Sequence, residues 1–171
     1  MNLNLRIFAG CIFLFLVLSQ CSELNTLVKN TPANSTTRSD NQLRNNIVEF
    51  ALNQKGARYK YAGRNPKTGF DCSGFTHYVF AEFNVNLTPV SRAQEAECRK
   101  IPLKNAQTGD LVFFRKSKAG SVFHVALVVS NDASGITVVH STSSRGVISE
   151  NITTSSYWRS KVTTACDVLN K

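Results

Sequence analysis

Proline and glycine are sparse in this chain, four and nine residues, while 42% of it is hydrophobic. That balance excludes a collagenous or wholly disordered polymer. Five cysteines in 171 residues are too few for a disulfide-packed miniprotein, and their odd number leaves at least one unpaired or modified. No apolar run reaches membrane-spanning length: Ile7–Leu18, twelve residues, extends about 18 Å as a helix against the roughly 30 Å hydrocarbon core. Close Cys-x-x-Cys or His-x-x-x-His pairs are missing, and so is any internal repeat. Acidic residues are scarce too, eleven against twenty basic ones, for a net charge of +9. A surface of that sign suits nucleic acid, anionic lipid or an anionic wall polymer. The length allows one domain with a true hydrophobic core.

Arg6 is the only charge before the Ile7–Leu18 run, and a polar break follows it. A charged start, a short apolar centre and a polar end read as a secretory signal over residues 1–20, with an uncleaved signal anchor as the alternative. Leu18-Ser19-Gln20-Cys21 resembles a bacterial lipoprotein box, although Gln20 stands where a small residue is preferred. Cys21 is therefore the expected lipidation site and a lipid anchor the expected link to a membrane. Residues 21–41, rich in Asn, Thr and Ser, read as a flexible tether, and residues 42–171 as the folded domain.

Within that domain Leu43, Ile47, Val48 and Leu52 repeat at helical spacing, and Phe75, Tyr78, Val79 and Phe83 do so again. A short third helix is predicted over Ser91–Cys98 with Ser91 as its cap. From Gly109 the pattern turns to strands: Leu111–Phe114, Val122–Val129, Ile136–His140 and Lys161–Leu169. Helices first and strands later predict an α+β domain with an antiparallel sheet.

Asp71 is suited to cap the second helix, which puts Cys72 in its first turn. Unpaired N–H groups and the positive helix end favour a thiolate there, and the same N–H groups suit an oxyanion. The alternative is a small buried hydrophobe. His77 falls on another face of that helix and reads as structural or exposed. His124 and His140 open and close two strands flanking the turn composition Ser130–Gly135, each eight residues from Asp132. A hairpin with that register would set the two rings on one face, so that one orients the other; a one-residue slip would part them. Cys72, His124 and His140 then supply nucleophile, base and orienting group. Two core histidines at opposed hairpin ends are the plain alternative.

The string Gly56-x-x-Tyr59-x-Tyr61-Ala62-Gly63, then Gly69-Phe70-Asp71-Cys72-Ser73-Gly74-Phe75, resembles the NlpC-type cell-wall cysteine peptidases. The resemblance continues through Gly109-Asp110-Leu111-Val112-Phe113-Phe114, His124-Val125-Ala126 and His140-Ser141 to Tyr157-Trp158, covering about residues 42–171. It implies a papain-like α+β fold and cleavage of peptidoglycan stem peptides, commonly after D-γ-glutamyl, in the cell envelope. It assigns Cys72 as nucleophile, His124 as base and His140 as third member. It also maps an active-site tyrosine onto Tyr59, with Asp71 and Ser73 beside the nucleophile in the substrate or oxyanion region. Ala62 departs from the pattern where a second glycine is usual, and Thr108 where proline often precedes Gly-Asp. No cofactor and no metal is expected.

Several rival readings use the same residues. Zinc on Cys72, His124 and His140 lacks close ligand pairs. An N-acetylmuramoyl-L-alanine amidase or an acyltransferase could run on the same triad. A non-catalytic wall-binding module would have no need of all three residues, and export argues against nucleic acid as partner. The basic cluster Lys55, Arg58, Lys60, Arg64 and Lys67 either holds an acidic substrate and lowers the Cys72 pKa, or is a solvated loop. Cys98 and Cys166 either pair or remain buried thiols.

Overall fold

The computed structural model describes residues 32–170, so the expected signal segment, its cleavage site and Cys21 lie outside the described residues. The chain divides between Gln42 and Leu43 into two units; of the first, residues 32–42 are described, and all are helical. Helix α1 (Pro32–Leu52) thus begins ahead of Leu43, the first position of the helical spacing, and takes up residues 32–41 of the expected tether. Pro32 opens it at the position where a missing N–H costs nothing, because first-turn amides have no helical partner. No apolar stripe marks residues 32–41, which is why spacing alone did not reveal this part of the helix. Ile47, Val48 and Ala51, on the apolar stripe that was legible, are buried in the core.

A two-stranded hairpin, β1 (Arg64–Asn65) with β2 (Gly69–Phe70), leads into α2 (Cys72–Ala81). Helix α3 (Ser91–Glu97) follows. Its cap is Val90 and not Ser91: the amides of Ala93 and Gln94 both close on the Val90 carbonyl, which makes Ser91 the first helical residue. The remaining strands are β3 (Arg99–Ile101), β4 (Leu111–Arg115), β5 (Val122–Asp132), β6 (Gly135–Thr142), β7 (Gly146–Asn151) and β8 (Val162–Asp167). They form one sheet in the order β3-β8-β4-β5-β6-β7, every pair antiparallel. The domain is α+β, as the order of patterns predicted. Strands β3 and β7 went unpredicted.

Both faces of the sheet are covered, and β4 shows it within one strand. Leu111 and Phe113 pack with Ile47, Phe75, Val79 and Phe80 of the helices. Val112 and Phe114 pack on the other side with Ala126, Val138, Ile152 and Trp158. That double burial explains why Leu111–Phe114 reads as an unbroken apolar run instead of an alternation. Arg44 of α1 is buried and clamps two sheet termini, donating to Asp110 at 2.7 Å and Asp167 at 2.9 Å. Burial pulls the Asp167 carboxyl up, but hydrogen bonds from Asn170 and Arg99 and the Arg44 charge outweigh it and hold the pKa at about 2. Cys98 and Cys166 are disulfide-bonded with their Cα atoms 5.7 Å apart, which joins the end of α3 to β8.

Candidate active site

Cys72 is the first residue of α2, and the local sequence holds it there. The Asp71 carboxylate accepts from the Gly74 amide at 2.6 Å and from the Ser73 hydroxyl at 3.1 Å. Asp71 is thus the expected cap. The loop ahead of the helix packs so closely that a Cβ on Gly74 would lie 2.0 Å from the Gly63 carbonyl oxygen. Ala62, where a glycine is usual, sits at φ 53, the left-handed region that an alanine adopts at a cost of about 1–2 kcal/mol. The Ser141 hydroxyl of β6 donates to the Phe70 carbonyl at 2.8 Å and ties this loop to the sheet. Tyr59, bridged to Phe70, is thereby placed beside Cys72.

His124 and His140 do share one face, through a register other than the symmetric one. The turn pairs Asp132 with Gly135, and that frame, continued without interruption, would set His140 opposite Leu127 and on the reverse face from His124. A bulge between Val128 and Ser130 shifts the frame by one residue, after which Val128 pairs with Val138 and Leu127 with Val139. His140 then falls opposite Ala126, diagonal to His124. His124 Nε2 and His140 Nδ1 lie 2.9 Å apart, at hydrogen-bond distance. Trp158 stacks on the His124 ring with centroids 4.7 Å apart and shields that contact.

Cys72, His124 and Tyr59 line one cleft of about 480 Å³, together with Lys116, Phe123, Ser141–Arg145, Glu150, Ser155, Tyr157 and Trp158. His77 is elsewhere, its Nδ1 held at 2.6 Å from the Leu87 carbonyl, in the structural role expected of it. The Ser73 hydroxyl is buried and bonded to Asp71 and to the Pro89 carbonyl. What Ser73 offers the cleft is its backbone N–H, which meets the Cys72 sulfur as those of Val125 and Cys72 do. The basic loop stands apart: Lys55, Arg58, Lys60, Arg64 and Lys67 are exposed and none lines the cleft, whose cations are Lys116 and Arg145.

Burial opposes the thiolate that the helix start favours. Burial pushes the Cys72 thiol up to about 11; the Asp71 carboxylate adds to the rise, and the three backbone N–H groups only partly offset it. His124 is held well below the usual histidine range by burial and by His140. Desolvation thus works against the charged form of both groups, opposing the helix end. Burial, then the nearby Cys72 and Asp71, raises the Tyr59 phenol above its usual range, so Tyr59 remains a donor. Among the described residues Cys72 is the free cysteine. Under non-reducing conditions iodoacetamide is expected to label Cys72 and neither Cys98 nor Cys166. Its rate should climb about tenfold per pH unit from pH 6 to 9, because the reactive thiolate grows that way below a raised pKa. A rate flat over that range would mean a preformed thiolate–imidazolium pair.

One residue bonded to the histidine pair escaped the sequence reading. Glu150 of β7 reaches His140 Nε2 at 3.0 Å and also accepts from Trp158 and Arg145. The signal was the turn composition Thr142–Gly146 followed by Val147 and Ile148, which announces a returning strand.

A papain-like α+β domain with a helix-start cysteine facing a histidine pair defines a class, and comparison with known proteins gives the family. The NlpC/P60 family profile matches residues 56–167, and the chain belongs to that family. It is 40% identical over 114 residues to the gamma-DL-glutamyl hydrolase of Bacillus subtilis, a match covering 66% of this chain and 27% of that protein. It is 31% identical over 150 residues to an Escherichia coli protein called murein DD-endopeptidase MepS/murein LD-carboxypeptidase, covering 87% of this chain and 70% of that one. The crystal structure of a Staphylococcus aureus protein, described as similar to lipoprotein and of the NLP/P60 family, superposes with a TM-score of 0.65 at 28% identity. That match covers 76% of this chain and 42% of the other. The first two of these relatives are a hydrolase and an endopeptidase by name, and this chain spans about a quarter of the length of the first.

Proposed function

We propose that this protein is a cysteine peptidase of the cell envelope that cuts peptidoglycan stem peptides at the bond between γ-D-glutamate and the diamino acid. The observation carrying this reading is the cleft that holds Cys72 at a helix start together with a histidine hydrogen-bonded to a second histidine. His124 takes the Cys72 thiol proton as the sulfur attacks the scissile carbonyl carbon. The oxyanion that forms meets the backbone N–H groups around the sulfur, with the Tyr59 hydroxyl as a further donor. The C–N bond breaks as His124 returns the proton to the departing amine. A water, deprotonated by the same ring, then hydrolyses the thioester and restores the thiol.

Digestion of purified peptidoglycan by the protein, with fragments identified by mass, tests the substrate. Fragments ending in γ-D-glutamate and fragments beginning with the diamino acid are the expected products. Whole stem peptides released from muramic acid would identify an amidase, and transfer to an added amine an acyltransferase.

Export and anchorage belong to the same proposal, resting on Arg6, Ile7–Leu18 and Cys21. Among the described residues no helix is long and apolar enough to cross a membrane. Mass analysis of the N-terminal peptide from a native bacterial host should find a mature chain starting at a lipidated Cys21. An unmodified N-terminus downstream of Cys21 would overturn lipidation and leave secretion standing.

A further inference from the structure

Glu150 lines the nucleophile's cleft and is also linked to His124 through His140. The register of β6 with β7 puts Val138 opposite Glu150, and thus Glu150 on the same face as His140, two residues along. Three groups converge on a single oxygen, Glu150 Oε1: His140 Nε2 at 3.0 Å, Trp158 Nε1 at 3.0 Å and an Arg145 guanidinium nitrogen at 2.6 Å. Indole and guanidinium can only donate, so the oxygen that receives both offers lone pairs alone. His140 Nε2 must therefore carry its proton and donate it.

The consequence runs back along the line. A neutral His140 protonated at Nε2 has a bare Nδ1, and that atom faces His124 Nε2 at 2.9 Å. His124 must then donate from Nε2, which leaves its Nδ1 bare. We propose that Glu150 is a fourth member of the site, a positioning residue that sets the tautomer of His140 and through it that of His124, keeping His124 Nδ1 free to accept the Cys72 proton. This rests on the peptidase reading above. Trp158 serves the same end, since its ring stacks on His124 while its N–H holds the Glu150 oxygen.

The same geometry gives an acid limit. The charged and titratable groups facing His140 are His124 on β5, Glu150 on β7 and Arg145 in the turn between β6 and β7. A proton added at His140 Nδ1 would make it the donor to His124 Nε2. His124 would then carry its proton on Nδ1, where the base is needed, and turnover would stop. Burial lowers the His140 pKa most, Glu150 raises it and Arg145 lowers it again. Joined at 2.9 Å, the two rings titrate as a pair, and the Glu150 carboxylate stands on the His140 side of it. Removing the Glu150 charge lowers the His140 pKa still more, and the acid limb must move to lower pH.

Glu150→Gln and Glu150→Ala in the full chain test this. In Glu150→Gln the amide oxygen stays turned to the Trp158 and Arg145 donors, so it still accepts from His140 Nε2. Its kcat on muropeptides should stay within about threefold of wild type, while the acid limb of kcat/KM shifts to lower pH. Glu150→Ala should lose about tenfold or more in kcat, as loss of an orienting partner does. Nitrogen-15 NMR of histidine-labelled protein reads the tautomers without any assay: at neutral pH both His124 and His140 should be protonated on Nε2. An Nδ1–H signal from His124 in the wild type overturns the proposal. So does a Glu150→Gln acid limb that does not move, and that readout decides the matter even if Glu150→Ala fails to fold. Full activity in Cys72→Ala would instead overturn the peptidase reading on which this one rests.

Discussion

Cys72→Ala is expected to end turnover, with kcat falling by a factor on the order of 10⁴–10⁶, the scale seen when a nucleophile is removed from a triad. Folding should survive, because the exchange deletes one sulfur from a half-buried position and leaves the Asp71 cap and the Gly63–Gly74 contact intact. Circular dichroism and a urea titration of the variant should overlay the wild type within about 1 kcal/mol. The combination matters: an inactive but folded variant assigns the chemistry to the sulfur. Retained activity, or loss of activity to a chelator alone, would mean that the chemistry lies elsewhere.

The histidine series should be graded. His124→Ala should cost nearly as much as loss of the thiol, because a thiol whose pKa burial has raised to about 11 has almost no thiolate at pH 7 without a base. The leaving amine also loses its proton donor. His140→Ala should cost less, about 10–100-fold, since it frees the orientation of His124 and removes no group that meets substrate. His140→Gln or His140→Asn should recover part of that loss, because the amide oxygen can accept from His124 Nε2 as His140 Nδ1 does. Steady-state kcat for the four variants checks the order. Equal losses in His140→Ala and His140→Gln would show that packing at this fully buried position outweighs the hydrogen bond.

The route to the histidine pair shows how far pattern reasoning reaches. Equal spacing from Asp132 suggested the juxtaposition, and the two rings do meet. Yet the real turn is centred between Asp132 and Gly135, and only the bulge near Val129 restores the shared face. Two offsets cancelled. Bulges concentrate at sheet edges and beside active sites, and no local composition announces this one. The caps behave likewise: Asp71 caps α2 as its side chain suggests, whereas Ser91 yields to Val90 because the path of the chain after Pro89 decides where the first helical bond closes.

Taken alone, the sequence was enough to determine that helices come first and strands later, the place of Cys72 at a helix start, and His124 and His140 as its candidate partners. These rest on short-range periodicity and on the chemistry of single side chains, both of which act within a few residues. The tertiary structure alone decided the helix over residues 32–41, the strand that carries Glu150, the Cys98–Cys166 bond and the upward shift of the Cys72 thiol. Each depends on which distant segments pack together: partners 68 residues apart for the disulfide, and for the thiol the removal of water by the strands and loops that enclose it. Desolvation and register are sums over the folded chain, and a linear pattern does not contain them.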